Sequence, residues 1–150
     1  MLRFFPLLLL CFWAQVSFAK TPITIKSDRM EVLQNQKVVV FSGNVVAKKA
    51  DLTIYADRLL VYYATKNGKR EVRKLVAIGK VKIHKGDWIA RAGKAVYFKT
   101  EERIVLEDKP QVWQGENTVK GARITLFLNE DRYVVESEPS EKAEAVIFVD

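Results

Sequence analysis

The sequence predicts an all-β protein built from stacked antiparallel strands, and three observations carry this prediction. From Lys20 onward no stretch shows a sustained helical period, whereas polar and apolar residues alternate and β-branched residues are frequent. Turn signals recur between the short apolar runs, and Asn67-Gly68 is the strongest of them. A strand motif recurs about every 30 residues, which is typical of stacked repeats that bury their apolar faces together.

The N-terminal segment MLRFFPLLLLCFWAQVSFA is predicted to be a signal peptide. Arg3 precedes an apolar run, and Ser17 and Ala19 supply the small residues of a cleavage site after Ala19. An uncleaved membrane anchor is the alternative, but the apolar run is shorter than the roughly 20 residues that a spanning helix needs. A lipoprotein acylated at Cys11 is disfavoured because Leu10 stands where a small residue is expected. We therefore divide the chain into a signal peptide, 1–19, and one folded domain, 20–150.

The predicted mature domain has no cysteine, so an exported protein of this sequence must be held by its core and not by disulfides. The net charge is +7, and removal of residues 1–19 lowers it by one to +6, because Arg3 is the only charged residue there. A basic exported protein is expected to meet anionic lipid or polysaccharide, and nucleic acid is not expected outside the cytoplasm.

The repeat consists of two half-motifs. The first appears as KSDRMEV, IYADRLLVYY, RAGKAVY and KGARITL, with anchor positions Asp28, Asp57, Gly93 and Ala122. The second appears as VVVFSGNVVA and KLVAIGKVKI. The pair Asp57-Arg58 is predicted to mark a point where a strand ends or bends and the chain crosses to the next strand. The glycines in FSGNVV and AIGKVK predict β-bulges at the same level.

Alternation assigns the side chains to two faces. The inner, apolar face is predicted to collect Met30, Val32, Phe41, Val45, Ala47, Leu52, Ile54, Leu59, Val61, Ala77, Val81, Ile83, Trp88, Ala90, Ala95, Tyr97, Ile104, Leu106, Val112, Val119, Ile124 and Leu126. The outer face is predicted to collect Glu31, Asn44, Lys48, Thr53, Lys80, Lys82, Arg91, Lys120 and Thr125. The result is an apolar inner trough.

The residues offer little for catalysis. His84 stands alone, whereas a metal site needs three or four ligands, and the serines lack a nucleophile elbow. The acidic pairs Glu101-Glu102 and Glu107-Asp108 are interpreted as solvated turns. Trp113 is either a sugar-stacking platform or, as we favour, an ordinary strand-end aromatic residue. We expect no enzyme activity, no catalytic residue, no metal and no cofactor.

Five segments, PITIKSDRMEV, VVVFSGNVVA, IYADRLLVYY, AIGKVKI and KPQVWQGENTVKGARITLFLNEDR, resemble the LptA family of lipopolysaccharide-transport proteins with an OstA-like domain. The resemblance covers roughly residues 22–149. It implies a twisted, V-shaped β-jellyroll of stacked antiparallel strands, open at both ends. The segment LEDKPQ departs from the Gly-Asn pair usual in the family, which puts the bulge there in question.

The resemblance also implies a function. A periplasmic protein of this family would bind lipopolysaccharide through lipid A and carry it from the inner to the outer membrane. Its partners would be an LptC-like protein at the N-terminal edge, an LptD-like protein at the C-terminal edge, and further copies head to tail. The lipid-facing interior would include Ile23 and Ile25, together with inner-face residues Met30, Val32, Phe41, Val45, Leu59, Val61, Val81, Ile83, Tyr97, Leu106 and Ile124.

Two other function classes stay open at this point. One is the soluble domain of an LptC-like subunit or a periplasmic oligosaccharide-binding module. The other is an exported enzyme that modifies lipid or sugar, for which the sequence supplies no catalytic set.

Overall fold

The computed structural model describes residues 21–149, and over this range it confirms the all-β prediction. Twelve strands form one antiparallel sheet that does not close on itself, and a single 3₁₀ turn spans Gln34–Gln36. None of the described helices is long and apolar enough to span a membrane. The predicted signal peptide, 1–19, lies outside the described residues. The strands are β1 Thr24–Lys26, β2 Arg29–Leu33, β3 Val38–Lys49, β4 Leu52–Lys66, β5 Lys69–Lys85, β6 Trp88–Phe98, β7 Arg103–Glu107, β8 Gln111–Gln114, β9 Asn117–Lys120, β10 Arg123–Phe127, β11 Arg132–Glu136 and β12 Glu144–Val146.

A line of β-bulges crosses the sheet. On β3 the bulge is formed by Gly43 and Asn44, with φ angles of +81° and +47°, and the β3–β4 register shifts between Ser42 and Val45. On β5 the equivalent pair is Gly79 and Lys80, with φ angles of +84° and +46°. Extra residues on one strand bend it and increase its twist. The bulges predicted from the two glycine motifs are therefore confirmed.

The bulges divide the bent sheet into two layers. Layer A consists of β2, β7, β10, β11 and the parts of the long strands at 38–42, 58–66, 69–78 and 94–98. Layer B consists of β1, β8, β9, β12 and the parts at 45–49, 52–56, 81–85 and 88–92. Apolar residues from both layers form one buried cluster, so the inner faces pack against each other as in a V.

The strand β4 runs without interruption from Leu52 to Lys66, so of the two alternatives predicted at Asp57, a strand end or a bend, the structure shows the bend. On the N-terminal side of the bend, Ile54 and Ala56 point inward, and on its far side Leu59 and Val61 do. The inward spacing changes from two to three residues at the bend. Without that change every later side chain would turn to the opposite face.

A third bulge lies at Asp108 and Lys109, within LEDKPQ. Their φ angles, +63° and +55°, are both positive, as are the φ angles of the Gly43-Asn44 and Gly79-Lys80 pairs, although neither Asp108 nor Lys109 is glycine. The amide of Gly93 donates to the carbonyl of Asp108 at 2.8 Å, as the amide of Asp28 donates to that of Gly43 at 2.9 Å. The bulge left in question by the sequence is therefore formed, with the aspartate and glycine positions exchanged.

On the outer face of layer A, basic side chains cover apolar residues. Three cations lie over aromatic rings of the neighbouring strand: Lys74 over Tyr62 at 4.7 Å, Arg103 over Phe98 at 4.6 Å, and Arg132 over Phe127 at 4.0 Å. Long basic side chains that lie along apolar surface shield it while their charged groups stay near water. Val38, which lies opposite Tyr62 in the register, is buried on this face outside the main cluster, as is Val40.

Candidate functional site

The predicted inner face forms the interior of the V. Nine of the thirteen residues predicted to face lipid are at most 9% exposed and belong to one cluster: Phe41, Val45, Leu59, Val61, Val81, Ile83, Tyr97, Leu106 and Ile124. All nine predicted outer-face residues are half-buried or exposed. Alternation therefore assigned the two faces correctly, and the prediction that these residues contact lipid remains a prediction.

The other four predicted residues lie at the N-terminal end of the interior. Ile25 is half-buried, pairs with Ala47 and packs against the cluster, and Ile23 is half-buried beside Tyr97. Met30 and Val32 are 60% and 42% exposed. Both point to the inner side, since Met30 lies opposite Phe41 in the register. They are exposed because β2 is an edge strand with a neighbour on one side only.

The interior is filled by the protein's own side chains. Leu59, Leu106 and Ile124 are 0% exposed, and the hollow beside Ile23 and Tyr97 encloses only about 10 Å³. The open trough predicted from the sequence is therefore closed along its centre. An acyl chain could enter between the layers only if they separated.

Sequence reasoning missed three buried residues of the cluster, Ala56, Leu75 and Ala92, of which Leu75 is the largest. Leu75 is 3% exposed and belongs to the same cluster. It lies two residues before Ala77, which was assigned inward, so continued alternation along β5 was the signal that could have found it.

A polar contact joins the two layers where their strands end. The hydroxyl of Tyr97, on layer A, donates to Glu102 Oε2 at 3.0 Å, and Lys49 Nζ, on layer B, lies 3.8 Å from Glu102 Oε1. Burial, and then the neighbouring Glu102 carboxylate, raises the pKa of Tyr97 above its ordinary value. Glu102 is thus more than a solvated turn residue, because it connects Tyr97 to the opposite layer.

Both ends of the sheet present unpaired strand edges. At the N-terminal end these are β1 and β2, and at the C-terminal end they are β11 and β12. Apolar side chains are exposed at the second end, where Ile147 is 65% and Phe148 is 63% exposed. A hollow of about 140 Å³ opens there between the layers, beside the edge-to-face pair of Trp88 and Tyr133 at 5.4 Å.

Residues with possible chemistry do not converge. His84 lies on the outer face of layer B, edge-to-face with Tyr55 at 5.9 Å. The guanidinium of Arg91 lies 5.7 Å from the Trp113 ring centre, which favours the interpretation of Trp113 as an ordinary strand residue. Within residues 21–149 no three His, Cys, Asp or Glu residues are grouped as a metal site would require. The arrangement suits binding along an apolar interior.

Comparisons with known proteins identify the fold and the family. The chain is 26% identical over 96 residues to an uncharacterized protein of Rhizobium meliloti (strain 1021), covering 61% of this chain and about half, 52%, of that relative. The fold is similar to the crystal structure of LptH, "the LptA homologous periplasmic component of the conserved lipopolysaccharide transport device from Pseudomonas aeruginosa". That match has a TM-score of 0.77, covers 86% of this chain and 96% of LptH, and has 21% identity, so it concerns the fold.

The family comparison covers most of the sheet. Residues 24–132, from β1 to the start of β11, match the family described as LptA/(LptD N-terminal domain) LPS transport protein. The match includes all three bulges and every buried residue of the cluster. The chain therefore belongs to the LptA/LptD N-terminal domain family of lipopolysaccharide transport proteins, with the family's β-jellyroll fold.

Proposed function

We propose that this protein binds lipopolysaccharide and acts as one unit of a bridge that carries it from the inner to the outer membrane. The observation that carries the proposal is a single buried apolar cluster that runs between the layers, with free strand edges at both ends. The acyl chains of lipid A would lie between the layers. The sugars would remain outside, beyond the strand ends.

Lipid entry requires the layers to part. Burial of an acyl chain contributes about 0.8 kcal/mol for each CH₂ group. The bulges, with their positive φ angles, form a bend that both layers share, and the contacts between the layers at the strand ends include the ion pair of Lys49 with Glu102 and the aromatic pair of Trp88 with Tyr133. Opening at the strand ends about the bulges would replace side-chain contacts by acyl contacts of similar polarity, so successive positions along the interior would be similar in energy.

The strand edges are the proposed docking sites. An exposed edge is normally an aggregation hazard, and it is also a template to which another chain can add a strand. An LptC-like inner-membrane protein would pair at β1 and β2, and an LptD-like outer-membrane protein at β11 and β12. Copies of the chain would pair head to tail in the same way. The periplasm is the corresponding location, with the signal peptide removed after Ala19.

Lipid retention by purified protein tests this function most simply. Protein with a mature N-terminus at Lys20 would be isolated from a periplasmic extract, and bound lipid would be identified by mass spectrometry. We expect co-purified lipopolysaccharide, displaced by added lipid A but not by a free, delipidated oligosaccharide. Absence of lipid, together with no binding of added lipopolysaccharide, would overturn the proposal and reopen the oligosaccharide-binding alternative.

A further inference from the structure

The outer face of layer B carries a row of cations that the lipid interior does not explain. One register row crosses eight strands and reads Lys26, Val46, Tyr55, Lys82, Arg91, Gln111, Lys120 and Glu144. Its four basic residues, Lys26, Lys82, Arg91 and Lys120, are named here the cationic row. Glu144, at the C-terminal end, is the one acidic residue in it.

The cationic row is largely unneutralised. Lys120 lies 3.4 Å from Glu144, whereas Lys26, Lys82 and Arg91 have no carboxylate within 4 Å among the described residues. Lys82 and Arg91 lie directly opposite each other on β5 and β6, an arrangement that is destabilising for like charges. Arg91 lies 5.7 Å from the Trp113 ring centre, whereas Lys82 has neither a carboxylate nor an aromatic ring as partner among the described residues, and an anion bound between the two would relieve their repulsion.

The outer face of layer A shows the contrast. Arg123 there lies between Glu107 and Glu136, at 3.5 and 3.4 Å, and three further cations cover aromatic rings. Arg58 and Lys94 are two of the basic residues in the paired strands of layer A that have neither kind of partner in the described structure. They serve as a control of equal charge for Lys82 and Arg91, and they are separated by Ile78, whereas Lys82 and Arg91 are direct neighbours.

The geometry of the row suits a linear anion. From β1 to β9 it crosses six strand spacings of about 4.8 Å, or about 29 Å in total. Neighbouring strands rotate by about 20–25°, so the row turns by more than about 100° along its length. A planar bilayer could touch only two or three of these strands, and a single small anion could meet only one or two cations. A flexible chain can follow the whole row.

The row also lies within reach of the proposed cargo. It runs parallel to the interior, because both cross the strands in the same direction. Lys82 is three residues from the end of β5, which places it about 10 Å from the strand ends where sugars would leave the interior. Charged sugars that leave the interior at the strand ends would therefore reach the cationic row without any rearrangement of the protein.

We propose that the cationic row binds the phosphate-bearing oligosaccharide of the lipopolysaccharide whose acyl chains occupy the interior. This inference rests on the proposed function for the identity of the cargo. The lipopolysaccharide would then make two contacts with the protein: its acyl chains with the apolar interior, and its charged oligosaccharide with the cationic row, the second being weakened by salt.

The test compares Lys82→Gln/Arg91→Gln with the control Arg58→Gln/Lys94→Gln in the mature protein. Three probes are used: lipopolysaccharide with a phosphorylated core, lipid A alone, and the delipidated phosphorylated oligosaccharide. We expect the row variant to weaken binding of the first and third by about 2- to 30-fold, the range for two exposed ion pairs. Lipid A, which carries phosphates only on its own disaccharide, should lose less affinity than lipopolysaccharide with a phosphorylated core. The effect should shrink as salt is raised, and the control should bind like wild type.

The outcomes separate the two proposals. If wild-type protein does not bind lipid A, the proposed cargo is wrong, whereas oligosaccharide binding still reports on the row. Equal binding of the oligosaccharide by wild type and row variant, or equal losses in the row and control variants, would overturn the row's role. Binding to vesicles that contain 30% phosphatidylglycerol is measured as well, for wild type and both variants. A row variant that loses only vesicle binding would make a bilayer the partner and contradict the inference.

Discussion

The carboxylate of Asp57 on β4 lies against the bare Cα of Gly79 on β5, so closely that a Cβ on Gly79 would lie 2.6 Å from Asp57 Oδ2. Asp28, between β1 and β2, and Gly43, on β3, repeat this relationship at the same distance. The repeat read from the sequence is therefore a physical contact, which places an aspartate beside each glycine bulge along the bend.

Replacement of Gly79 by alanine should destabilise the protein through two effects. Its φ of +84° costs a residue with a Cβ about 1–2 kcal/mol, and the contact with Asp57 adds to this. We expect a total loss of about 2–3 kcal/mol in the free energy of unfolding, measured by urea denaturation.

Gly68→Ala is the matched control, because Gly68 has a φ of +73° and no atom within 4 Å of the added Cβ. Gly68→Ala should lower the free energy of unfolding only by the cost of the positive φ, about 1–2 kcal/mol. In an Asp57→Gly background, which removes the Asp57 Cβ at 3.0 Å together with the carboxylate, the loss from Gly79→Ala should approach that of the control. An undiminished loss there would show that the contact with Asp57 is not responsible.

At the third bulge the aspartate and glycine have changed places, which makes a reciprocal exchange informative. A Cβ on Gly93 would overlap the Asp108 carboxylate. Gly93→Asp should therefore destabilise the protein by about 1–3 kcal/mol, the usual range for overpacking. Adding Asp108→Gly should recover at least half, since it restores the arrangement of the other two bulges and glycine favours a positive φ. Adding Asp108→Asn instead should recover little; an equal recovery would mean that charge repulsion, and not space, sets the pairing.

The contact between Tyr97 and Glu102 predicts a dependence on alkaline pH. In the unfolded chain a tyrosine ionises with a pKa near 10, whereas burial and Glu102 raise the pKa of Tyr97 in the folded protein. As pH rises above about 10, the unfolded state releases a proton that the folded state keeps, so the stabilisation is present below pH 10 and is lost above it.

Tyr97→Phe removes this group. At pH 8 the variant should be less stable than wild type by about 1 kcal/mol, the net contribution of one hydrogen bond. The difference should fall toward zero by about pH 11 in denaturation series at fixed ionic strength. A difference that stayed constant from pH 8 to 11 would contradict the assigned role of the hydroxyl.

The C-terminal edge predicts an effect on self-association. Val146, Ile147 and Phe148 are exposed on and after β12, which pairs only with β9. Deletion of 145–150 should shift head-to-tail oligomers toward monomer in sedimentation velocity at equal protein concentration. Substitution of the exposed Ile78, which lies on the outer face of layer A away from the edges, by threonine is the control and should leave the distribution unchanged. Oligomers that persisted after the deletion would count against strand addition at β12.

Much of the fold could be predicted from the sequence because a period of two residues fixes which side chains share a face, and the glycine motifs mark where that period breaks. The exposure of Met30 and Val32 could not be predicted, since it depends on where the sheet stops. The role of Glu102 could not be predicted either, because a glutamate in a turn looks the same whether or not a buried tyrosine lies beside it.

Closure of the interior has a practical consequence. An open trough predicts that Ile83→Asp would block lipid while the fold survives with water around the new charge. Ile83 is 3% exposed within the packed cluster, so an aspartate there would place an unpaired charge in the core. A loss of lipid binding by Ile83→Asp would therefore reflect loss of folding stability and would not test the lipid path. Lys82→Asp is unsuitable as a neutral control as well, because Lys82 belongs to the cationic row.

The central claim is that the interior is the lipid path, and adjacent residues of β6 test it most directly. Tyr97 points inward and is 3% exposed, whereas Phe98 points to the outer face of layer A, beneath Arg103. A photo-reactive phenylalanine analogue fits either aromatic position and reports on opposite faces of the same strand. The claim predicts a crosslink to lipopolysaccharide from position 97, suppressed by excess lipid A, and none from position 98. Equal crosslinking at the two positions, or capture only at 98, would contradict it.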